Sequence, residues 1–151
     1  MTVDAQGFKL MQPAHLAEIM AIEVRAYDFP WSEKNFLDCL SSRYHCWIYQ
    51  PEDHIVAYGV LSAAAGEAHV LNLCVDPAHQ HQGLGRRVLH FLLQVASEHS
   101  VSDVFLEVRD SNEPAKVLYE SVGFNQYSVR HRYYPATQGR EDAVLYCKAI
   151  I

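Results

Sequence analysis

The sequence predicts a single domain of the α/β class, spanning residues 1–151. A chain of 151 residues has the length of one ordinary domain, and half of its residues are apolar while 20% are charged, the balance of a globular protein. Segments with strand-like and helix-like spacing of apolar residues alternate along it. These observations predict a mixed sheet with helices on its faces.

Seven segments have the alternating or β-branched and aromatic composition of strands. They are Phe8–Met11, His45–Tyr49, Ile55–Ala63, Ala68–Val75, Val104–Val108, Phe124–Tyr133 and Asp142–Lys148.

Four helices are predicted between these strands. The first begins at Pro13, and the second is capped by Ser32 and runs to about Leu40. The third is long and amphipathic and begins near Gly83. The fourth covers Glu113–Val122 and ends at Gly123, a residue suited to a left-handed helix terminus.

Charge and cysteine content exclude several classes of function. The net charge is −6, and all of the surplus lies in residues 1–79, which hold ten acidic and four basic residues. This balance argues against nonspecific nucleic-acid binding and favours a basic partner, although a merely solubilising surface is the alternative. The absence of a long apolar run predicts no membrane association, and no signal peptide is recognisable. The four cysteines form no CxxC pair, so we expect no metal and a cytoplasmic location.

A glycine loop joins a strand to the third helix. It reads Gln80-His81-Gln82-Gly83-Leu84-Gly85-Arg86-Arg87. Two glycines and the free N–H groups of a first helical turn suit a pyrophosphate, with a tight turn that binds nothing as the alternative. Two other phosphate-binding motifs are excluded. A P-loop needs Lys followed by Ser or Thr after the second glycine, which this loop lacks, and a dinucleotide fingerprint needs a third small residue where this chain has Val88.

The loop and several other segments resemble the Gcn5-related N-acetyltransferase (GNAT) family. The resemblance covers the chain from about Leu16 to Tyr146. The matching segments are Gln80-x-x-Gly83-x-Gly85 after Val75-Asp76-Pro77, Phe29-Pro30-Trp31-Ser32, Leu106-Glu107-Val108-Arg109, Ser111-Asn112, Leu118-Tyr119-Glu120-Ser121-Val122-Gly123-Phe124, Arg132-Tyr133-Tyr134-Pro135 and Gly139-Arg140-Glu141-Asp142-Ala143.

The resemblance implies a GNAT fold and acetyl-CoA as cosubstrate. The expected fold is a seven-stranded, mixed, mostly antiparallel sheet with four helices, in which the fourth and fifth strands splay apart to admit the cofactor. The residues implied in cofactor binding are Leu73, Cys74 and Val75 through backbone groups, Gln80, then Gln82, Gly83, Leu84, Gly85, Arg86 and Arg87 at the pyrophosphate, and Asn112. The Val75 N–H is expected to polarise the thioester carbonyl. Cys74 is expected to be a small buried hydrophobe and not a nucleophile.

Glu107 and Tyr119 are the candidate base and acid. An attacking α-amino group has a pKa of roughly 7.7–8.0 and must lose a proton, while the departing thiolate benefits from a proton donor. Glu107 lies near the end of an apolar strand, where partial desolvation favours proton binding; the alternative is an ion pair with Arg109 or Arg86. Tyr119 lies beside the apolar stripe of its helix; the alternative is a half-buried tyrosine with its hydroxyl at the surface.

Two aromatic segments are expected to enclose the acceptor. They are Phe29, Pro30 and Trp31 in one loop, and Tyr133 and Tyr134 in another, with hydrophobic plugs as the alternative. Family members most similar to this chain acetylate the N-terminal alanine of ribosomal protein bS18, a basic segment, which implies that substrate here. Two alternatives stay open: a broader acetyltransferase for other N-termini, lysines or small amines, and a catalytically silent acetyl-CoA sensor.

Overall fold

One mixed sheet organises the computed structural model, which describes residues 3–151. Its strands are β1 (Phe8–Leu10), β2 (His45–Tyr49), β3 (Ala57–Ala64), β4 (Glu67–Val75), β5 (Asp103–Arg109), β6 (Asn125–Pro135) and β7 (Arg140–Ala149). They lie in the order β1-β2-β3-β4-β5-β7-β6. The β4–β5 pair is parallel and every other neighbouring pair is antiparallel. The mixed, mostly antiparallel seven-stranded sheet is therefore confirmed.

Four α-helices begin and end at residues of the expected types. They are α1 (Leu16–Ala26), α2 (Glu33–Ser41), α3 (Leu84–Ser97) and α4 (Glu113–Val122). The Ser32 hydroxyl accepts the N–H of Asn35 and caps α2, as the sequence predicts. Gly123 ends α4 with φ +104°, in the left-handed region where glycine is unstrained. A short 3-10 turn, Pro13–His15, precedes α1, so the first helix begins three residues later than predicted.

Each face of the sheet carries its own core. Helices α3 and α4 cover one face, where Val88, Leu89 and Leu92 pack with side chains of β3, β4 and β5. Helices α1 and α2 cover β2, β3 and the end of β4 on the other face, where Ile19 and Phe36 are fully buried. Burying a leucine or phenylalanine stabilises the fold by about 1.5–3 kcal/mol, so both layers are firmly attached to the sheet.

Several strand bounds differ from those predicted. The third strand begins at Ala57 rather than Ile55. The last two extend to Pro135 and from Arg140, beyond the predicted Tyr133 and Asp142, because they form one long hairpin. Pairing between strands determines these ends, and local composition does not reveal it.

Strands β4 and β5 separate halfway along their length, as expected. They pair only from Glu67–Asp103 to Val70–Leu106. At that point β4 shifts register against β3, so that Leu71 is an extra residue between partners. A bulge of this kind bends its strand. The bulge thus bends β4 where its pairing with β5 ends, leaving a gap in the middle of the sheet.

None of the helices within residues 3–151 is long and apolar enough to cross a membrane. The same residues contain no group of three or more His, Cys, Asp or Glu side chains arranged to hold a metal ion.

Candidate active site

Two adjoining clefts lie at the gap between β4 and β5. The larger cleft, of about 910 Å³, lies at the N-terminal ends of α3 and α4. The smaller cleft, of about 320 Å³, lies beside the α1–α2 loop and the end of β6. The residues that line both clefts are Tyr27, Phe29, Leu73, Arg109, Asn112 and Tyr119. Ligands bound in the two clefts would therefore meet at these residues.

Most of the predicted cofactor residues line the larger cleft. They are Leu73, Val75, Gln80, Gly83, Leu84, Gly85 and Asn112. Cys74, Gln82, Arg86 and Arg87 do not line it. Of the predicted acceptor and catalytic residues, Phe29, Trp31, Glu107, Tyr119 and Tyr134 line the smaller cleft, whereas Pro30 and Tyr133 do not.

The backbone of β4 presents alternate residues to the gap. The Asp76 N–H donates to the Val56 carbonyl, so Cys74, two residues earlier, also directs its backbone toward β3. Leu73 and Val75 direct theirs to the opposite side, toward the gap. The backbone groups of Cys74 therefore face β3, contrary to the expectation that they also face the cofactor. Burial raises the pKa of the Cys74 thiol to about 12, which disfavours the thiolate that a nucleophile requires.

Side chains already bond to the β4 carbonyls at the gap. The Tyr27 hydroxyl donates to the Leu73 carbonyl at 2.7 Å, and the Gln80 amide donates to the Val75 carbonyl at 3.3 Å. Burial raises the pKa of Tyr27, so its hydroxyl remains a donor. These bonds leave the N–H groups of Leu73 and Val75 to face the gap. Tyr27 has no part in the sequence prediction, since nothing in its local pattern indicates a partner 46 residues away.

The first turn of α3 presents free N–H groups to the larger cleft. Gly83 is its N-cap residue with φ +79°, and no side chain caps the helix. A Cβ on Gly83 would meet nothing within 4 Å, so the backbone is open to a ligand there. A Cβ on Gly85 would approach Leu118 to 3.3 Å, so Gly85 allows α3 to pack closely on α4. The two glycines thus have different roles.

The two arginines of the loop differ in direction. Arg86 donates to the Ser121 hydroxyl at 2.6 Å, which holds it beside α4. Arg87 pairs with Asp4 at 3.2 Å and lies over the ring of Tyr49, away from the larger cleft. The Arg87 side chain is therefore not at the proposed pyrophosphate position, contrary to what the resemblance implies. One helical residue turns the chain by about 100°, which separates neighbouring side chains.

Glu107 is a partly exposed carboxylate of the smaller cleft. Its side chain is 33% exposed, and Oε1 lies 3.4 Å from Nη1 of Arg130. The alternative partners of Glu107 expected from the sequence, Arg109 and Arg86, are both wrong. Arg109 pairs with Glu141 at 2.9 Å, and Arg86 donates a hydrogen bond to Ser121. Arg130 lies on β6, and only the β5-β7-β6 order brings it to Glu107.

Tyr119 is the buried residue of α4. It is 8% exposed, which excludes the half-buried alternative, and it packs against Phe124 and Tyr146. Burial raises its pKa to about 12, because desolvation disfavours the phenolate. The hydroxyl is consequently protonated at neutral pH and lies on a residue that lines both clefts.

Arg109 joins the two aromatic segments at the smaller cleft. Its guanidinium lies 4.9 Å from the Phe29 ring centroid and 4.6 Å from that of Tyr134. It also donates to the Pro135 carbonyl at 2.6 Å and pairs with Glu141. The sequence prediction did not include this bridge, because arginine–aromatic contacts across loops leave no periodic signal.

The buried carboxylate of Glu23 holds the loop between α1 and α2 by hydrogen bonds. Glu23 is 1% exposed, accepts the Tyr58 hydroxyl at 2.6 Å and accepts the Trp31 N–H at 2.9 Å. Both carboxylate oxygens are engaged, so the loop is tied to α1 and β3 where it enters the smaller cleft. Helix α1 contains two glutamates, and nothing in its sequence pattern distinguishes Glu23 from a surface residue.

Comparison with known proteins identifies the class. Residues 16–124 match the model of the Acetyltransferase (GNAT) family. That segment is more than two thirds of the chain, so the chain belongs to the GNAT family and is an N-acetyltransferase.

The more specific likeness is to enzymes that act on a ribosomal protein. The chain is 43% identical to the ribosomal protein bS18-alanine N-acetyltransferase of Escherichia coli K12 over 124 residues, 82% of this chain and 84% of that protein. It is 34% identical to the enzyme of that name from Haemophilus influenzae over 125 residues, 82% of this chain and 85% of that protein.

Solved structures share the fold. The crystal structure of the ribosomal-protein-S18-alanine N-acetyltransferase from Escherichia coli matches with a TM-score of 0.89 and 38% identity, covering 95% of this chain and 92% of that one. Ard1 from Thermoplasma volcanium matches with a TM-score of 0.86 and 20% identity, covering 95% and 97% of the two chains, which shows the fold alone.

Proposed function

We propose that this enzyme transfers acetyl from acetyl-CoA to the N-terminal alanine of ribosomal protein bS18. The observation that carries the proposal is the pair of clefts that meet at Tyr119, one suited to an anionic cofactor and the other to a peptide end. The names of the relatives supply the acceptor, since a protein 43% identical over most of both chains acts on it. Because that acceptor is a ribosomal protein, the proposed site of action is the cytoplasm.

The larger cleft has the features that acetyl-CoA binding requires. The uncapped N–H groups of Leu84, Gly85 and Arg86 face an open space at Gly83, where a pyrophosphate would bind. Gln80 and Asn112 line the same cleft, and the gap-facing backbone of Leu73 and Val75 would bond to the pantetheine. When bound there, acetyl-CoA supplies an activated acyl group to the middle of the sheet.

Glu107 would accept the proton of the incoming amine. An α-amino group with a pKa of roughly 7.7–8.0 is largely protonated at neutral pH, so deprotonation precedes or accompanies attack. Glu107 lines the smaller cleft, from which the acceptor would enter, and its partial exposure allows the proton to leave to water.

Tyr119 would protonate the departing sulfur. The amine nitrogen forms a bond to the thioester carbonyl carbon, the C–S bond breaks, and the sulfur takes the phenolic proton. The Val75 N–H would donate a hydrogen bond to the carbonyl oxygen as charge develops on it. Attack is direct, in a ternary complex, because the buried Cys74 thiol is not disposed to form an acyl-enzyme.

Phe29, Trp31 and Tyr134 would surround the first residue of the acceptor. They come from the two segments that Arg109 joins, so the peptide end is held between elements that are fixed to each other. Aromatic walls bury a small side chain such as that of alanine while leaving the amine exposed to Glu107.

Mass spectrometry of acetylated peptides tests the proposal. The enzyme and acetyl-CoA are mixed with a basic peptide beginning with a free alanine, and separately with a peptide that has a blocked N-terminus and an internal lysine. Acetylation of the first peptide alone is expected. Acetylation of the lysine peptide would show a broader enzyme, and transfer to neither despite cofactor binding would overturn the proposal.

A further inference from the structure

An acidic and aromatic surface lies on the sheet next to the smaller cleft. It consists of Glu67 and His69 on β4, Asp103 and Phe105 on β5, and Tyr127 on β6, and we name it the acidic–aromatic face. Glu67 is the register partner of Asp103, and His69 that of Phe105. The ring of Phe105 lies 5.3 Å from that of His69 and 5.9 Å from that of Tyr127, so the five side chains share one side of the sheet.

The helices leave this face uncovered. The core beneath α1 and α2 contains sheet residues of β2, β3 and β4, but none from β5, β6 or β7 among the residues described. Tyr127 is accordingly 54% exposed, and His69 and Glu67 are exposed as well. Aromatic rings clustered at the surface of one sheet, here from β4, β5 and β6, are a common feature of contact sites for other molecules.

The face continues directly from the proposed acceptor site. Residues 70–73 and 106–109 line the smaller cleft, and His69 and Phe105 are the next residues along the two strands. Strands rise about 3.3 Å per residue, so Asp103 lies about 13 Å along β5 from Glu107. An extended peptide spans that distance in about four residues.

The carboxylates of the face are available to a cation. Neither Glu67 nor Asp103 forms an ion pair within residues 3–151, and one oxygen of Asp103 accepts a hydrogen bond from the Ser102 hydroxyl at 3.0 Å. Arg130, the neighbouring cation, is engaged with Glu107 and with the ring of Tyr133. A guanidinium or ammonium group placed over the exposed ring of Tyr127 would gain a cation–π contact beside these two carboxylates.

We infer that the acidic–aromatic face binds lysine or arginine residues located about three to five positions after the acetylated residue of the acceptor. The inference rests on the proposed function and adds a specificity determinant to it. Charge complementarity and continuity with the cleft select a basic peptide segment as the occupant. The first residues determine whether the amine reaches Glu107, whereas this face distinguishes basic acceptors from neutral ones.

The test compares two peptides and three forms of the enzyme. The peptides share alanine and the next two residues, and positions four to seven are arginine and lysine in one and glutamine in the other. The enzymes are the wild type, Glu67→Gln with Asp103→Asn, and the control Glu52→Gln with Asp53→Asn. The control removes two charges from the exposed loop after β2, on the opposite side of β4 from β5.

The wild type and the control should prefer the basic peptide in kcat/KM by about three- to tenfold, the size expected of two screened surface charges. The Glu67/Asp103 variant should lose this preference while keeping its rate on the neutral peptide. Raising the ionic strength should reduce the wild-type preference in the same way.

Three results would overturn the inference. They are a wild type without preference, a Glu67/Asp103 variant that retains the preference, and a variant equally impaired on both peptides. Failure of the wild type to acetylate either peptide would instead refute the proposed function, and is therefore distinguishable from failure of the face.

Discussion

Gly83→Ala separates the backbone strain of the glycine loop from its role in cofactor binding. Gly83 has φ +79°, and a Cβ there would contact nothing within 4 Å. An alanine in the left-handed region costs about 1–2 kcal/mol, offset in part by its lower entropy in the unfolded chain. We therefore expect a loss of about 1 kcal/mol in the free energy of unfolding, or roughly 2–4 °C in Tm.

The same substitution should weaken acetyl-CoA binding. The new methyl group points into the open space where the pyrophosphate is proposed to approach the first turn of α3. Loss of one hydrogen bond to a charged group costs about 1.5–3 kcal/mol, so the KM for acetyl-CoA should rise by about tenfold or more. The KM for the acceptor peptide should change little, because Gly83 does not line the smaller cleft.

Gly66→Ala is the matched control. Gly66 has φ +82° in the β3–β4 turn, also with nothing within 4 Å of a Cβ, and it lies outside both clefts. Urea unfolding should show equal losses of stability in the two variants, while steady-state kinetics should show the raised acetyl-CoA KM in Gly83→Ala only. Equal acetyl-CoA KM values in both variants would refute the assignment of the loop to the cofactor.

Substitutions at three further residues test the buried network and the chemistry. Glu23→Ala leaves the Tyr58 hydroxyl and the Trp31 N–H without an acceptor, so the free energy of unfolding should fall by about 2–6 kcal/mol. Glu23→Gln keeps one oxygen to accept the Trp31 N–H, and its NH2 can donate to the Tyr58 hydroxyl, so it should lose less. Similar losses in both variants would contradict the network. Glu107→Gln should lower kcat with little effect on either KM, and stopped-flow measurement of a normal kcat would exclude Glu107 as the base. Tyr119→Phe should slow transfer by about 10²–10⁴ while preserving acetyl-CoA binding. Burial raises the pKa of Tyr119 to about 12, so kcat should show no loss from Tyr119 ionisation below about pH 10. A fall in kcat centred below that pH in both the wild type and Glu107→Gln would argue against Tyr119 as the donor.

The secondary structure was largely predictable because its signals are local. The cap at Ser32, the terminator at Gly123 and the apolar spacing within α3 each act over one or two turns of chain. The order of elements follows from them. Strand ends were predictable only approximately. Residues at the ends of β6 and β7 join the strands because the two strands pair with each other in a hairpin.

The site was predictable to the extent that one motif encodes it. The glycines mark a strand-to-helix turn that suits a phosphate, and the family resemblance extends this to Glu107 and Tyr119, whose catalytic roles stay predictions. The partners of these residues were not predictable. Arg130 reaches Glu107 from another strand, and Arg87, beside the glycines in sequence, points away to Asp4.

The sequence by itself determined the elements, the turn that opens α3 and the residue types that acetyl transfer needs, because spacing and capping operate within a few residues. Only the tertiary structure decided how those residues meet. Two clefts with shared lining residues result from three tertiary features. These are the bulge at Leu71, the limited β4–β5 pairing and the packing of Arg109 between Phe29 and Tyr134. Their physical basis is contact between segments distant in sequence, where register and burial select one arrangement among many that the local pattern allows.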